Sequence, residues 1–145
     1  MPTVAPFLDF AVVWNDEDLQ EVVVSASSGL FAGQVNLYGG PHELENVAES
    51  LQGFPTSPKD RREIHLGQDG LSGYGTAIIS LYCTDSTGHL AVEVTMHTFP
   101  AGHSKRQESA VVVVPAVVGD LDRFVEQLRR VNNQVGKHAE LRSAA

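Results

Sequence analysis

The chain has 145 residues, of which 42% are hydrophobic and 19% are charged, and its formal net charge is −8 with histidine neutral. This length and composition are typical of one globular domain with a sizeable core, and they exclude a disordered chain. A single cysteine excludes an internal disulfide framework, and the negative charge argues against nucleic acid and anionic membranes as partners, because both are bound through lysine and arginine.

Residues 1–10 contain no basic residue and no apolar run of signal-peptide length. The longest apolar run, residues 110–118, is interrupted by Pro115 and is far shorter than the roughly 18 residues that span a bilayer. We therefore expect the fold to begin near the N-terminus, no membrane-spanning segment, and a cytoplasmic location.

Three β-strands are predicted in the first 38 residues. Residues 7–14 are mostly apolar, residues 19–25 contain three consecutive valines, and residues 30–38 alternate between apolar and polar side chains. Polar and small residues separate these segments. The pattern favours antiparallel neighbours joined by short turns.

A first helix is predicted after Gly39-Gly40-Pro41, since proline suits the first helical position. Its apolar residues follow the i, i+3, i+4, i+7 series of one helical face: Leu44, Val47, Ala48 and Leu51. Gly53 and Pro55 predict its end.

Four further strands and a second helix follow. Residues 63–66, 76–83 and 90–99 are predicted strands. Residues 109–117 are almost all apolar and rich in valine, which favours a central strand covered on both faces. Asp120 is the predicted N-cap of the second helix. The apolar stripe of this helix consists of Leu121, Phe124, Val125, Leu128 and Val131.

The predicted order is β-β-β-α-β-β-β-β-α, an α+β fold with one antiparallel sheet of about six to seven strands and two amphipathic helices packed on one side. Residues 1–136 form the predicted single domain, and residues 137–145 form a tail that we expect to fray.

No catalytic residue, metal site or cofactor is predicted. The sequence lacks a Gly-x-Ser-x-Gly elbow, a His-Glu-x-x-His pair, a phosphate-binding loop and an EF-hand loop. His89 and His97 would share one face of a strand but would lie roughly 26 Å apart at about 3.3 Å per residue. The sequence therefore favours a protein that is not an enzyme.

A protein-binding surface is predicted where Trp14 precedes the acidic cluster Asp16, Glu17 and Asp18. Tryptophan is enriched at binding hot spots, and a negative patch beside it would suit a basic protein partner. A solvated turn is the alternative for the acidic residues.

A different function would follow if polar side chains gathered around a cavity on the sheet face. The candidates for such a small-ligand or enzymatic site are His65, Tyr74, Glu93 and His97. Self-association through a strand edge or the sheet face is compatible with either function, so a homo-oligomer remains an alternative.

Two segments carry a family resemblance: Leu-Phe-Ala-Gly at residues 30–33, before the first helix, and Tyr-Cys-Thr-Asp-Ser-Thr-Gly-His at residues 82–89, in the central hairpin. In these segments and in its order of elements the chain resembles small uncharacterised bacterial single-domain proteins, including toxin-immunity proteins of the WapI type. The resemblance implies a module that covers the active surface of a toxin, and it implies no catalytic residues.

Overall fold

The computed structural model describes residues 5–67, 74–99 and 107–142. Within these ranges the chain is α+β, as predicted, with eight strands and two helices. The strands are β1 (Phe7–Asn15), β2 (Gln20–Ser27), β3 (Ala32–Gly39), β4 (Arg61–Gly67), β5 (Tyr74–Cys83), β6 (His89–Phe99), β7 (Glu108–Val117) and β8 (His138–Arg142), and the helices are α1 (Glu43–Leu51) and α2 (Val118–Val131). Neither helix has the length and apolar character needed to cross a bilayer.

The strands form two antiparallel sheets of four strands each. The first sheet has the order β3-β2-β1-β8, and the second has the order β4-β5-β6-β7. The prediction of a single sheet with six to seven strands is therefore wrong. Hairpin turns in the sequence show which strands are neighbours, but α1 separates β3 from β4, and nothing in the sequence shows that the chain changes sheet there.

The two sheets meet where β3 crosses one end of the second sheet. A Cβ atom at Gly33 would lie 2.7 Å from the terminal methyl group of Met96, and one at Gly75 would lie 2.9 Å from the Cβ atom of Val35. Gly67 has a φ of +83°, and a Cβ atom there would overlap the carbonyl oxygen of Gly75. The missing side chains at Gly33 and Gly75 let β3 lie close to the second sheet, and the one at Gly67 lets β4 lie close to β5.

Both sheets and both helices share one hydrophobic core. The apolar stripes predicted for α1 and α2 are buried. Phe10 in β1 packs edge-to-face against Phe124 in α2, with ring centroids 5.5 Å apart. This contact holds α2 on the inner face of the first sheet. The opposite face, which includes the exposed Gln34 and Asn36, is therefore accessible.

The start of α2 differs from the prediction. The helix begins at Val118, so Asp120 lies in its first turn and is not its N-cap. The buried carboxylate of Asp120 accepts hydrogen bonds from the Val117 N–H (3.1 Å) and from Arg123 (2.6 Å). A carboxylate in the first turn also interacts favourably with the helix dipole. The sequence therefore placed Asp120 at the N-terminal end of the helix, as observed, but as its N-cap instead of its third residue.

β8 lies in the segment that was expected to fray. It pairs with β1 along the edge of the first sheet, and it buries Ala139 and Leu141. The prediction of a frayed tail is therefore corrected for residues 138–142. Two apolar positions among five residues are a weak strand signal, and burial against α2 supplies the stability that the pattern does not reveal.

β7 is an edge strand of the second sheet, not the central strand that its valines predict. Val112 and Val114 are buried, whereas Val111 is 59% exposed and Val113 is 41% exposed. An apolar run without alternation does not show which face is covered. The prediction that both faces are covered is therefore wrong.

The side chain of Asn132, just after α2, caps the start of α1. Its Oδ1 accepts hydrogen bonds from the N–H groups of Leu44 (3.0 Å) and Glu45 (3.3 Å), and its Nδ2 donates to the carbonyl oxygen of Pro41 (2.9 Å). The buried Gln20 donates a further hydrogen bond to the same Oδ1 (3.0 Å). The first helix is thus capped from 88 residues away, and the two helices and β2 are joined at one point.

Candidate functional site

The outer face of the first sheet presents two groups of side chains, one at each end of β1. At the end beside the β1–β2 turn lies the Trp14 surface, which consists of Val13, Trp14, Asp16, Glu17, Asp18, Leu19, Tyr38 and Val135. At the other end lies the His138 cluster, which consists of Asp9, His138, Glu140 and Arg142. Trp14 is five positions along β1 from Asp9, which is roughly 16 Å at about 3.3 Å per residue.

Trp14 is held in place by neighbours on β2 and β3. The register of β1 and β2 shifts between Val12 and Trp14, which places Trp14 opposite Glu21. The indole lies edge-to-face against the ring of Tyr38, with centroids 6.1 Å apart, and remains 43% exposed. The Tyr38 hydroxyl donates a hydrogen bond to Glu21 (3.0 Å), which also accepts one from Asn36 (2.8 Å). The predicted tryptophan is thus both accessible and ordered by its neighbours.

The three predicted carboxylates divide into one that builds the turn and two that face outward. Asp16 Oδ1 accepts hydrogen bonds from the N–H groups of Asp18 and Leu19, both at 2.8 Å. Glu17 and Asp18 are exposed, and no side-chain hydrogen bond or ion pair found in the described ranges involves their carboxylates. Their negative charges are therefore available to an approaching partner.

Other exposed apolar side chains lie at the same end of β1 as Trp14, and sequence reasoning did not select them. Val13 is 45% exposed, Leu19 is 41% exposed and Val135 is 53% exposed. The Gly136 N–H donates a hydrogen bond to the carbonyl oxygen of Val12 (2.9 Å), which brings the α2–β8 connection alongside β1. Val135 thereby joins a surface formed mainly by β1 and the following turn, and only the fold reveals this.

In the His138 cluster, each carboxylate has a basic neighbour. His138 Nδ1 lies 2.6 Å from Asp9 Oδ1, and Arg142 Nε donates to Glu140 Oε1 at 2.6 Å. Burial raises the pKa of Asp9 by more than the hydrogen bond with His138 lowers it. The hydrogen bond to the Asp9 carboxylate raises the pKa of His138, and the hydrogen bond from Arg142 lowers the pKa of Glu140. The pKa of Asp9 is therefore set mainly by burial, and that of Glu140 mainly by its contact with Arg142.

The His138 cluster lines an open cavity of about 600 Å³. One donor atom from each of Asp9, His138 and Glu140 lies within 4.8 Å of the other two. Sequence reasoning predicted no metal site, and it could not have found this group, because 129 residues separate Asp9 from His138. The alternation of His138, Glu140 and Arg142 in the last strand was the only available signal.

The alternative site predicted on the second sheet is dispersed. His65, Glu93 and His97 lie on the same outer face, but Ile78 of β5 stands between His65 and the facing Thr95 of β6. Strands are about 4.8 Å apart, so His65 lies roughly 10 Å across the sheet, and about 7 Å along it, from both Glu93 and His97. The Tyr74 side chain lies outside the described part of the structure. The positions of these residues do not favour a shared cavity.

Comparison of the chain with protein-family models, with curated proteins and with solved structures finds no match.

Proposed function

We propose that the chain is a non-enzymatic protein-binding module that binds a basic protein partner through the Trp14 surface. The observation that carries the proposal is the Trp14 ring, which is 43% exposed although it packs against Tyr38. An aromatic side chain that is accessible and already ordered loses little conformational entropy when a partner covers it.

The surroundings of Trp14 support the same proposal. Val13, Leu19 and Val135 add exposed apolar side chains at the same end of β1, while Glu17 and Asp18 supply negative charge in the adjoining turn. Buried aromatic anchors surrounded by weaker contacts carry much of the binding free energy of interfaces. Charges at the rim increase the rate of association with an oppositely charged partner.

A basic partner is favoured because the chain has a net charge of −8 and because the turn concentrates carboxylates beside the apolar area. The resemblance to WapI-type immunity proteins implies one such partner, a toxin whose active surface the module would cover. The alternative of a ligand-binding or enzymatic site around His65, Tyr74, Glu93 and His97 is less favoured, since the register separates His65 from Glu93 and His97.

Affinity capture from a lysate of the source cells tests the proposal. The wild-type chain is compared with Trp14→Ala, and Phe31→Ala is the matched control, because Phe31 is 74% exposed in the turn at the opposite end of β2. We expect one stoichiometric basic protein with the wild type and with Phe31→Ala, and at least a tenfold lower yield with Trp14→Ala.

A second pair of variants tests the charges. Glu17→Gln combined with Asp18→Asn removes two carboxylates from the turn, and Glu49→Gln combined with Asp122→Asn removes two exposed carboxylates from the helices. Only the first pair should weaken capture and its salt dependence. Recovery of the chain without a partner, or a partner retained equally by Trp14→Ala, would contradict the proposal.

A further inference from the structure

Asp9, His138 and Glu140 combine three metal-ligating side chains at one position on the edge of the first sheet. The pairing of β1 with β8 places Glu140 directly opposite Asp9, and His138 lies two residues before Glu140 on the same face. One imidazole nitrogen and two carboxylate oxygens, one atom from each residue, lie within 4.8 Å of one another. The backbone pairing therefore fixes the three Cα positions and leaves only side-chain rotation to adjust the donor atoms.

The separations suit a small divalent ion. In a tetrahedral zinc site with bonds of about 2.1 Å, neighbouring ligand atoms lie about 3.4 Å apart. Asp9 Oδ1 and His138 Nδ1 are 2.6 Å apart in a hydrogen bond, which a bound ion would replace as the two atoms separate, and the 59% exposed side chain of His138 has room to move. Glu140 would have to break its ion pair with Arg142, whose side chain is 50% exposed. Because the three donor atoms lie within 4.8 Å of one another, rotation of these side chains would have to bring separations of up to that length to about 3.4 Å.

The surroundings favour a cation with open coordination positions. The Asp9 side chain is only 19% exposed, so its carboxylate is partly removed from water, and bringing a cation close to it compensates for that loss of hydration. The cluster lines the open cavity of about 600 Å³, together with Phe7, Ser25 and Gln34. Three protein ligands beside an accessible cavity are the arrangement in which zinc keeps a position for water or another ligand.

We propose that Asp9, His138 and Glu140 bind a divalent transition-metal ion of the Zn²⁺ class, with the remaining coordination positions facing the cavity. Imidazole with carboxylates suits Zn²⁺ and its neighbours in the first transition series better than Ca²⁺, which takes six to eight oxygen ligands. The site lies at the other end of β1 from the Trp14 surface, so it is independent of the proposed partner.

Zn²⁺ binding to the untagged full-length chain, after treatment with a chelator, tests this proposal by competition with a chromophoric zinc indicator. We expect one saturable site, and we expect His138→Ala and Glu140→Gln each to lower its affinity at least tenfold. His65→Ala and His89→Ala are the matched controls. Each of these exposed histidines contacts one carboxylate at 2.6 Å, and neither belongs to the three-ligand groups found in the described residues.

Two further variants test whether the thiol or the Asp9 carboxylate takes part in Zn²⁺ binding. Cys83→Ser removes the one thiol of the chain, and it should leave the affinity unchanged. Asp9→Asn preserves the shape of the half-buried side chain and should also lower the affinity at least tenfold, with unchanged circular dichroism in the absence of metal. Absence of saturable Zn²⁺ binding, wild-type affinity in His138→Ala, or loss of binding in Cys83→Ser or a control variant would overturn the proposal.

Discussion

Trp14 lies on β1 and Tyr38 on β3, with β2 between these strands, yet their rings are in edge-to-face contact with centroids 6.1 Å apart. The contact reaches across the intervening strand above Glu21, which accepts the hydrogen bond of the Tyr38 hydroxyl. The two rings and the carboxylate thus form an ordered unit at the centre of the Trp14 surface.

Replacing Tyr38 should change the environment of the Trp14 indole only when the aromatic ring of Tyr38 is lost. With Tyr38→Ala, the indole loses a contact worth about 0.5–1.5 kcal/mol. We expect its fluorescence emission to move to longer wavelength and its anisotropy to fall. Because the chain contains one tryptophan, this emission reports only on Trp14. Tyr38→Phe retains the ring and should retain the emission; an equal shift in both variants would argue against the ring contact.

Loss of the Asn132 side chain should destabilise the fold by uncapping α1. Asn132→Ala removes hydrogen bonds to Leu44, Glu45 and Pro41 and leaves the buried Gln20 without one partner. We expect the free energy of unfolding, measured in urea, to fall by about 1–3 kcal/mol. Asn132→Asp keeps the acceptor at the helix start and should recover part of this loss.

Asn46→Ala is the control for that experiment, because Asn46 is exposed in the middle of α1. Its unfolding free energy should stay within about 0.5 kcal/mol of wild type. Equal losses in Asn46→Ala and Asn132→Ala would contradict the capping contact.

Acid should remove a contribution to stability from Asp85, in the β5–β6 hairpin. The Thr87 N–H, followed by the Thr87 hydroxyl and the His89 N–H, lowers the pKa of Asp85 from 3.8 to about 2. Because the folded pKa lies below the unfolded value, the contribution is fully present above about pH 5 and is lost as the pH falls toward 2.

Urea unfolding of wild type and Asp85→Asn across this range measures that contribution. The stability difference between them should shrink as the pH falls from about 4 toward 2. Asp122→Asn, at an exposed helix position, provides a control for a general effect of charge removal. A difference that stays constant down to pH 2 would show that the loop does not stabilise the ionised carboxylate.

Identical substitutions at neighbouring valines of β7 should have very different costs. Val114→Thr places a hydroxyl in the core, which costs about 1–3 kcal/mol unless the hydroxyl finds a partner. Val113→Thr places it on a face that is 41% exposed and should cost less than about 0.5 kcal/mol. Urea unfolding of the two variants compares them directly. Equal, large losses would indicate that both faces of β7 are covered.

The sequence predicted local structure well where only one face of an element is apolar. The stripe of α1, from Leu44 to Leu51, is buried as expected, since helical periodicity assigns each residue to a face. β7 gave the wrong prediction because valine on both faces carries no periodic signal. β8 was missed because its stability comes from pairing with β1 and packing on α2, which no local pattern encodes.

The two candidate sites also differ in how far the sequence could predict them. Trp14 and the acidic turn are adjacent in the sequence, so their proximity could be predicted, and the structure adds Val135 from the other end of the chain. His138 meets Asp9 only because β8 pairs with β1. Long-range pairing thus determines which residues lie together at the His138 cluster, and the sequence alone does not specify it.

Titration of the captured partner, once purified, into the wild-type chain while Trp14 emission is recorded tests the central claim most directly. We expect a saturable shift of the Trp14 emission to shorter wavelength, because the partner removes water from the indole. The affinity should fall as salt rises from about 0.05 M to about 0.5 M, since the attraction between charges is screened. Tight binding that leaves the emission of Trp14 unchanged at every salt concentration would contradict the account, because it would place the interface elsewhere.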